Sequence, residues 1–214
     1  MPVWAIVVAA GRGDRFGGAK QFVTLGGARV VDRSVAVARR ACDAVVVVLP
    51  PGEHWTGESV TAVVEGGATR SESVRAGLAA VPDDVDVVVV HDAARPLASR
   101  ELFDAVVGAV RAGADAAVPG VAVADTVKRV DGAQVVETVT RDDLVVVQTP
   151  QAFRAGALRD AHARSHDATD DAALVERAGG RVVVVPGGRH NLKITDPDDV
   201  RIATALLHDE ARRP

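Results

Sequence analysis

Short runs of aliphatic and β-branched residues recur along the chain, separated by longer segments in which apolar positions follow a helical spacing. Most of the short runs are apolar without alternation, which is typical of strands buried on both faces of a parallel sheet. The strands that this pattern predicts are Val3–Val8, Ala44–Leu49, Val60–Val64, Val85–Val90, Ala114–Val118 and Val182–Val185. We therefore expect a sheet that is mostly parallel.

The segments between these strands carry the pattern of amphipathic helices. The helices predicted are Val31–Ala41, Ser71–Ala80, Ser99–Ala112, Arg154–Ser165, Asp170–Ala178 and Asp198–Asp209. The last has the clearest start, because Asp196 precedes Pro197 and two acids follow in the first turn. Strands that alternate with helices in this way predict a single Rossmann-like α/β domain over residues 1–214.

One segment, residues 122–147, interrupts this alternation. It is rich in β-branched residues and carries Asp131-Gly132 between two such runs, Thr126–Val130 and Gln134–Thr140. An Asp-Gly pair in that setting indicates a β-hairpin. Such a hairpin, with polar and basic edges, either folds onto the sheet or projects from it. A projecting arm is only marginally stable alone, so it would need a partner subunit.

Composition and charge narrow the classes of partner. The chain has 3% aromatic residues, no tyrosine and a formal net charge of −4, so we expect no binding to nucleic acid. The N-terminal apolar run is interrupted by Arg12, and the later runs are too short to cross a bilayer, so we expect no membrane association. Cys42 is the only cysteine and cannot form an internal disulfide, which favours a reducing, cytoplasmic location.

A glycine-rich loop follows the first predicted strand and is the first candidate for chemistry. Small residues at Ala9–Gly11 let the backbone approach a ligand, and Arg12, Arg15 and Lys20 place three cations nearby. A tight strand-to-helix turn is the simpler reading of the glycines alone, but the clustered cations favour an anion. Phe16 stands where a dinucleotide fingerprint needs its third glycine, and no Walker Gly-Lys-Ser/Thr is present. The sequence therefore predicts a phosphate-binding loop of another kind.

A second candidate is Asp92, which directly follows a buried strand. A carboxylate at the carboxyl end of such a strand suits Mg²⁺ beside a nucleotide. The alternative is a capped loop in which Asp92 accepts hydrogen bonds from backbone N–H groups and pairs with Arg95. His91 has no second histidine or cysteine nearby, so we interpret it as structural.

Two further segments complete the candidates. Gly66 and Gly67 precede a helix and offer backbone groups to a base or ribose, although an ordinary cap by Ser71 is equally consistent with them. Lys193 lies just before the last helix. Taken alone, it is typical of a solvated surface charge.

In this order, the segments resemble the 2-C-methyl-D-erythritol 4-phosphate cytidylyltransferases of the non-mevalonate isoprenoid pathway. The matching stretches are Ala9–Arg15, Lys20-Gln21, Gly66–Val74, His91–Pro96, Asp125–Lys128, Thr149–Gln151, Thr169–Asp171 and Asn191–Thr195. They cover nearly the whole chain. The most specific of them is His91–Pro96, whereas the glycine loop is shared with other nucleotidyltransferases.

The resemblance implies a nucleotidyltransferase domain that transfers CMP from CTP to methylerythritol phosphate, releasing pyrophosphate, with Mg²⁺ held by Asp92. It assigns catalysis to Arg15, Lys20, Lys193 and Arg141. It assigns the binding of CTP to Ala9, Ala10, Gly11, Gly67, Ser73 and Ala93. It assigns the acceptor to Arg95, Thr126, Arg141 and Lys193. It also implies a homodimer with shared active sites, in which the arm carrying Thr126 and Arg141 reaches the other subunit.

The chain departs from the family pattern around the glycine loop. The segment between Arg15 and Lys20 is about two residues shorter than in common members, and Ala19 and Val8 stand where prolines are usual. Three rival functions stay open at this point. They are a ribitol 5-phosphate cytidylyltransferase, a non-catalytic nucleotide-binding module and, more weakly supported, a dehydrogenase.

Overall fold

A computed structural model describes residues 2–164, 168 and 170–210 of the chain. Its centre is an eight-stranded sheet. The strands are β1 (Val3–Val8), β4 (Ala44–Leu49), β5 (Ala62–Glu65), β6 (Val87–Asp92), β7 (Ala116–Ala122), β10 (Val145–Val147), β11 (Gln151–Arg154) and β12 (Val182–Pro186). Two small ribbons stand outside it, β2 (Thr24–Leu25) with β3 (Ala28–Arg29), and β8 (Val127–Asp131) with β9 (Gln134–Val139).

The strand order in the large sheet is β10-β7-β11-β6-β1-β4-β5, and β12 pairs with β7. Strands β6, β1, β4 and β5 pair in parallel, as do β7 and β12. Strand β11 is antiparallel to both β6 and β7, and β10 is antiparallel to β7. The mostly parallel sheet predicted from the unalternating runs is therefore confirmed, and its two reversed strands are short.

Helices cover both faces of the sheet, as a doubly wound α/β domain requires. They are α1 (Val30–Ala41), α2 (Arg70–Ala79), α3 (Arg100–Arg111), α4 (Ala155–Arg164), α5 (Asp171–Arg177) and α6 (Pro197–Glu210). One apolar core joins α1 and α3 to one face, and a second joins α2, α4 and α5 to the other. None of the helices in the described part of the chain is both long and apolar enough to cross a membrane.

Most of the predicted elements are present, and β1 and β4 have the predicted bounds. The prediction that a helix begins at Arg154 was wrong, because Arg154 ends β11 and α4 begins one residue later. The missed strand β11 is four residues long and forms only because two longer strands offer it partners on both sides. The predicted end of that helix, Ser165, lies outside the described residues.

The hairpin predicted around Asp131-Gly132 is confirmed. Gly132 has a φ of +54°, the left-handed backbone that glycine adopts without strain, and β8 and β9 form a ribbon separate from the main sheet. Val130, Val135 and Val136 on this arm are more than half exposed. Within one chain, these apolar side chains have no core to cover them.

The parallel strands bring four chemically important loops to one edge. The carboxyl ends of β1, β4, β5 and β6 all lie there, since these four strands run in one direction. Strands β4 and β5 lie on one side of β1, and the chain then crosses over to place β6 on the other side of β1. A crevice at such a reversal of strand order is where open α/β sheets bind ligands.

Close packing at the α2–β1 contact yields a first prediction. A Cβ added at Gly77 would stand 2.5 Å from Ile6 Cγ2, whereas one added at Gly108 of α3 meets nothing within 4 Å. We expect Gly77→Ala to lower the free energy of unfolding by about 1–3 kcal/mol through overpacking. Gly108→Ala is the matched control and should raise it by about 0.5–1 kcal/mol, because alanine favours the helix. Urea unfolding measures both, and equal effects of the two substitutions would contradict the packing described.

Candidate active site

A cleft of about 690 Å³ opens at the carboxyl edge of the sheet. Its walls come from the ends of β1, β4, β5 and β6 and from the loop that precedes α6. The predicted nucleotide-binding residues Ala9, Ala10, Gly11, Gly67, Ser73 and Ala93 all line it, together with Lys20, Asp92 and Lys193. The fold therefore gathers into one cavity the segments that the sequence placed far apart.

The glycine loop after β1 is folded back on itself. Gly13 has a φ of +71°, and its carbonyl accepts hydrogen bonds from the N–H groups of Phe16, Gly17 and Gly18. A Cβ at Gly13 would lie 1.9 Å from the Gly18 carbonyl oxygen, so no other residue fits this turn. The buried Gln21 donates from Nε2 to the Gly11 carbonyl at 3.2 Å and ties the start of the loop to its end.

The loop after β5 packs directly on the glycine loop. A Cβ at Gly66 would stand 2.3 Å from the Ala10 Cβ, so the two backbones approach only because Gly66 has no side chain. Ser73 Oγ accepts from the Gly67 N–H at 3.2 Å and donates to the Thr69 carbonyl at 3.0 Å. The cap of α2 is Thr69, in a capping box with Glu72, and not Ser71 as one reading of the sequence had it.

Asp92 is the last residue of β6 and is 8% exposed. Its Oδ2 accepts from Lys193 Nζ at 2.6 Å and its Oδ1 from Arg70 Nε at 3.3 Å. Burial alone would raise the pKa of this carboxyl, but Arg70 and then Lys193 outweigh burial and hold the pKa well below its usual range. Asp92 is thus a fixed anion within a cluster of cations.

Lys193 reaches Asp92 because two loops are joined by hydrogen bonds. Ile194 N–H donates to the Ala94 carbonyl at 2.8 Å, and Arg95 Nη1 donates to the Asn191 carbonyl at 2.7 Å. Arg95 is buried and does not line the cleft, and it makes no ion pair with Asp92. The alternative pairing of Arg95 with Asp92 is therefore not observed, and Arg95 supports from behind the loop that carries Lys193. Its assignment to the acceptor stays a prediction.

Lys20 and Lys193 line the cleft, whereas Arg15 is exposed on the glycine loop and does not line it. Lys20 is half-buried, and its pKa is lowered first by burial and then by the charges of Lys193 and Arg15, against smaller opposing effects of Asp92 and Asp199. Gathering like charges in this way costs free energy in the empty site, and a multiply charged anion recovers it. The arrangement predicts a ligand with several phosphates.

The comparison with known families decides which phosphate ligand this is. Residues 3–209 match the family model described as 2-C-methyl-D-erythritol 4-phosphate cytidylyltransferase. The chain belongs to this family.

Individual relatives agree with the family assignment. The chain is 48% identical to the 2-C-methyl-D-erythritol 4-phosphate cytidylyltransferase of Frankia casuarinae, covering 96% of this chain and 81% of that protein. It is 47% identical to the Nocardia farcinica enzyme of the same name, covering 98% and 95%. It is also 48% identical to a bifunctional IspD/IspF enzyme of Clavibacter michiganensis, of whose length it spans 54%.

A solved structure of the same kind shares the fold. The Thermus thermophilus 2-C-methyl-D-erythritol 4-phosphate cytidylyltransferase superimposes with a TM-score of 0.85 at 38% identity, covering 97% of this chain and all of that one. Family membership confirms the predicted α/β fold and the enzyme class, a cytidylyltransferase that uses CTP and acts on methylerythritol phosphate. It does not support a dehydrogenase.

Two residues that the cytidylyltransferase resemblance assigned to the acceptor lie elsewhere in this single chain. Thr126 and Arg141 are exposed at the base of the arm, where Arg141 Nη1 donates to the Ala124 carbonyl, and neither lines the cleft. Their assignment to the acceptor stays a prediction.

Two residues at the site were not singled out from the sequence. Arg70 lines the cleft and donates from Nε to Asp92, and its Nη1 donates to Asp171 at 2.6 Å. Both lie within stretches that carry the family resemblance, Gly66–Val74 and Thr169–Asp171, which was the available signal. Thr169 itself lies outside the described residues.

His91 is structural, as predicted. Its ring is fully buried, and its Nε2 faces the Arg95 carbonyl at 3.2 Å, so Nε2 carries the proton. Nδ1 then accepts from Thr149 Oγ1 at 3.2 Å, and that oxygen in turn accepts from the Asp92 N–H at 3.0 Å. The neutral ring thus satisfies every partner and fixes the end of β6.

No group of three or more potential metal ligands of the His, Cys, Asp or Glu types occurs among the described residues.

Titration of His91 yields a second prediction. Burial lowers its pKa from 6.5 to about 4. Between these values the unfolded chain binds a proton that the folded chain does not, so stability is full above pH 6.5 and is lost as pH falls towards 4. We expect the free energy of unfolding to fall by about 3 kcal/mol over this window in excess of the change in a His91→Gln variant. Urea unfolding at a series of pH values measures it, and parallel profiles would contradict this account.

Proposed function

We propose that this cytidylyltransferase joins CMP to methylerythritol phosphate by an Mg²⁺-assisted in-line displacement. A phosphate oxygen of the acceptor attacks the α-phosphorus of CTP, the bond from that phosphorus to the bridging oxygen breaks, and pyrophosphate leaves. The attacking phosphate is already an anion, so the chain need not supply a general base. The observation that carries the proposal is the cleft in which the glycine loop, Asp92, Lys20 and Lys193 converge.

The walls of the cleft suit the nucleotide half of the reaction. We assign CTP to Ala9, Ala10, Gly11, Gly67, Ser73 and Ala93, which present backbone groups and small side chains to the cavity. The contact between Gly66 and Ala10 holds the two loops at a fixed separation. A flat base and its ribose fit between loops of this kind, while backbone N–H groups meet the phosphates.

Arg15 and Lys20 are assigned to the transition state. Charge develops on the oxygens around the α-phosphorus and on the leaving pyrophosphate, and fixed cations stabilise it. Lys20 is half-buried beside Lys193 and Arg15, and charge in such a position is screened less by water than on the surface. The short segment between Arg15 and Lys20 is folded by the turn at Gly13, which supports a position for Lys20 at the cleft despite the missing residues.

Asp92 fits the Mg²⁺ that the family implies. The ion prefers oxygen and keeps few protein ligands beside substrate phosphates, and Asp92 presents an ionised carboxylate at the cleft. When bound, the metal neutralises phosphate charge. Lys193, whose ammonium pairs with Asp92 in this structure, is assigned to the acceptor phosphate, and Arg95 holds its loop.

A homodimer with shared sites completes the acceptor pocket in this proposal. The arm exposes Val130, Val135 and Val136, and neighbouring edge strands expose Val146 and Val184. Such an apolar surface is typical of an interface. A second copy that covers it would bring Thr126 and Arg141 to the partner's cleft. We further propose a cytoplasmic location, as expected from the composition.

The acceptor comparison tests the proposed reaction. With CTP and Mg²⁺, we expect pyrophosphate release with methylerythritol phosphate at a kcat/KM at least about tenfold above that with ribitol 5-phosphate, a difference of about 1.4 kcal/mol at the transition state. A coupled phosphate assay measures both. Faster turnover of ribitol phosphate would move the assignment to the related wall-polymer enzymes. CTP binding without any turnover would instead favour a non-catalytic nucleotide-binding module.

One substitution tests the role of Lys20 in this assay, and a second serves as its control. Lys20→Ala should lower kcat by about two to three orders of magnitude with the fold intact, because a charge at the transition state is lost. Arg40→Ala removes a cation from the exposed end of α1, outside the cleft, and should leave kcat unchanged. Unaltered turnover in Lys20→Ala would show that Lys20 has another role.

The dimer proposal has its own test. Replacing Val146, 57% exposed on β10, by aspartate should raise the dimer dissociation constant by about tenfold or more, because burying a valine contributes about 1.5 kcal/mol and burying a charge opposes association. Val63→Asp is the matched control, since Val63 is 43% exposed on the opposite edge strand, β5. Sedimentation velocity gives the dimer fraction. If both variants associate as the wild type does, the apolar surface that the arm and β10 share is not the interface.

A further inference from the structure

A line of paired charged and polar side chains continues from the cleft into the protein. It begins at Lys193 and Asp92 and passes to Arg70, whose Nη1 lies 2.6 Å from Asp171 Oδ2. It ends at His162, whose Nε2 lies 3.0 Å from Asp171 Oδ1. Only the first members of the line reach the cleft. The last two lie on α4 and α5, on the face of the sheet covered by α2.

Asp171 is an unusual place for a carboxylate. Its side chain is fully buried, and His162 is 4% exposed. Capping does not account for it, because the preceding residue, Asp170, already caps α5 by accepting from the Ala173 N–H at 3.0 Å. A buried charge of this kind is destabilising unless it is paired. Both of its oxygens are directed to side chains, one to Arg70 and one to His162.

Arg70 is shared between two carboxylates, which it contacts through different nitrogens, Nε for Asp92 and Nη1 for Asp171. Burial alone would lower its pKa, but Asp92 and Asp171 together raise it, so the guanidinium is a permanent cation. Its contact with Asp171 is short, whereas its contact with Asp92 is long, 3.3 Å. Asp171 therefore restrains Arg70 and limits how closely it approaches the carboxylate at the cleft.

We infer that Asp171 is a positioning residue that acts through Arg70 to set how strongly Asp92 binds a divalent cation. Arg70 and a metal ion compete for the same carboxylate, so whatever draws Arg70 away from Asp92 favours the metal. The negative charge of Asp171 draws it away. His162 donates its Nε2 proton to Asp171 and fixes the direction of that carboxylate. This inference rests on the proposed role of Asp92 in holding Mg²⁺.

The competition predicts effects of opposite sign for two substitutions. Asp171→Asn keeps the shape but releases Arg70 towards Asp92, so the Mg²⁺ concentration at half-maximal turnover should rise by about three- to tenfold. Adding Arg70→Gln removes the competing cation and balances the buried charge. The double variant should return that concentration to within about twofold of the wild type. Its kcat should be lower than that of the wild type, because Arg70 no longer orients Asp92.

Asp170→Asn is the matched control. It makes the same change of charge one residue away, and asparagine is an equally good cap, so we expect the metal dependence of the wild type. Asp170 contacts Ala173 and Gln151 and not Arg70. Circular dichroism and thermal unfolding confirm that each variant is folded. Should Asp171→Asn alone not fold, the charge-balanced double variant still tests the inference by its own metal dependence.

Binding of Mn²⁺ in the presence of CTP, followed by electron paramagnetic resonance, gives a readout that does not need turnover. The same order of affinities is expected, with Asp171→Asn weakest and the double variant near the wild type. The inference is overturned if Asp171→Asn lowers kcat without changing the metal dependence, or if the double variant binds metal as weakly as Asp171→Asn. A wild type that binds Mn²⁺ with CTP but transfers nothing to methylerythritol phosphate would instead disprove the proposed function.

Discussion

The ion pairs of Asp92 are the interaction on which the rest of the site depends. A carboxylate at the end of a buried strand is destabilising unless cations surround it, and here Lys193 and Arg70 approach it from two different parts of the chain. Each pair spans many residues of sequence, so the charges also hold the loop before α6 and the start of α2 at the edge of the sheet. One buried anion thereby organises both the electrostatics and the shape of the cleft.

The parallel sheet makes this concentration of charge possible. Strands β1, β4, β5 and β6 run in one direction, so their following loops meet at one edge, where backbone groups and short side chains face a common cavity. The neutral ring of His91 fixes the last residues of β6 through Thr149 and the Arg95 carbonyl. Rigid support of this kind suits phosphoryl transfer, in which positioning and charge stabilisation do most of the catalytic work.

The site is also divided between what one chain supplies and what it lacks. The residues assigned to CTP binding line the cleft of one chain, whereas Thr126 and Arg141 lie on an arm outside that cleft. The exposed valines of that arm and the two residues assigned to the acceptor lie on the same element. Association and acceptor binding are therefore coupled in the proposed dimer, because the apolar contact that holds the two chains together would also place Thr126 and Arg141 at the partner's cleft.

The sequence by itself determined the fold class, the glycine loop and the hairpin at Asp131-Gly132, because period and turn chemistry are local properties, and its resemblance to a known family drew attention to Asp92 and Lys193. Only the tertiary structure decided that Arg95 supports a loop from behind and that Arg70 and Asp171 continue the charge line inwards. It likewise revealed β11, which exists because β6 and β7 leave a gap between them. Such roles depend on which side chains meet across the sheet, and residue spacing along the chain carries no record of those meetings.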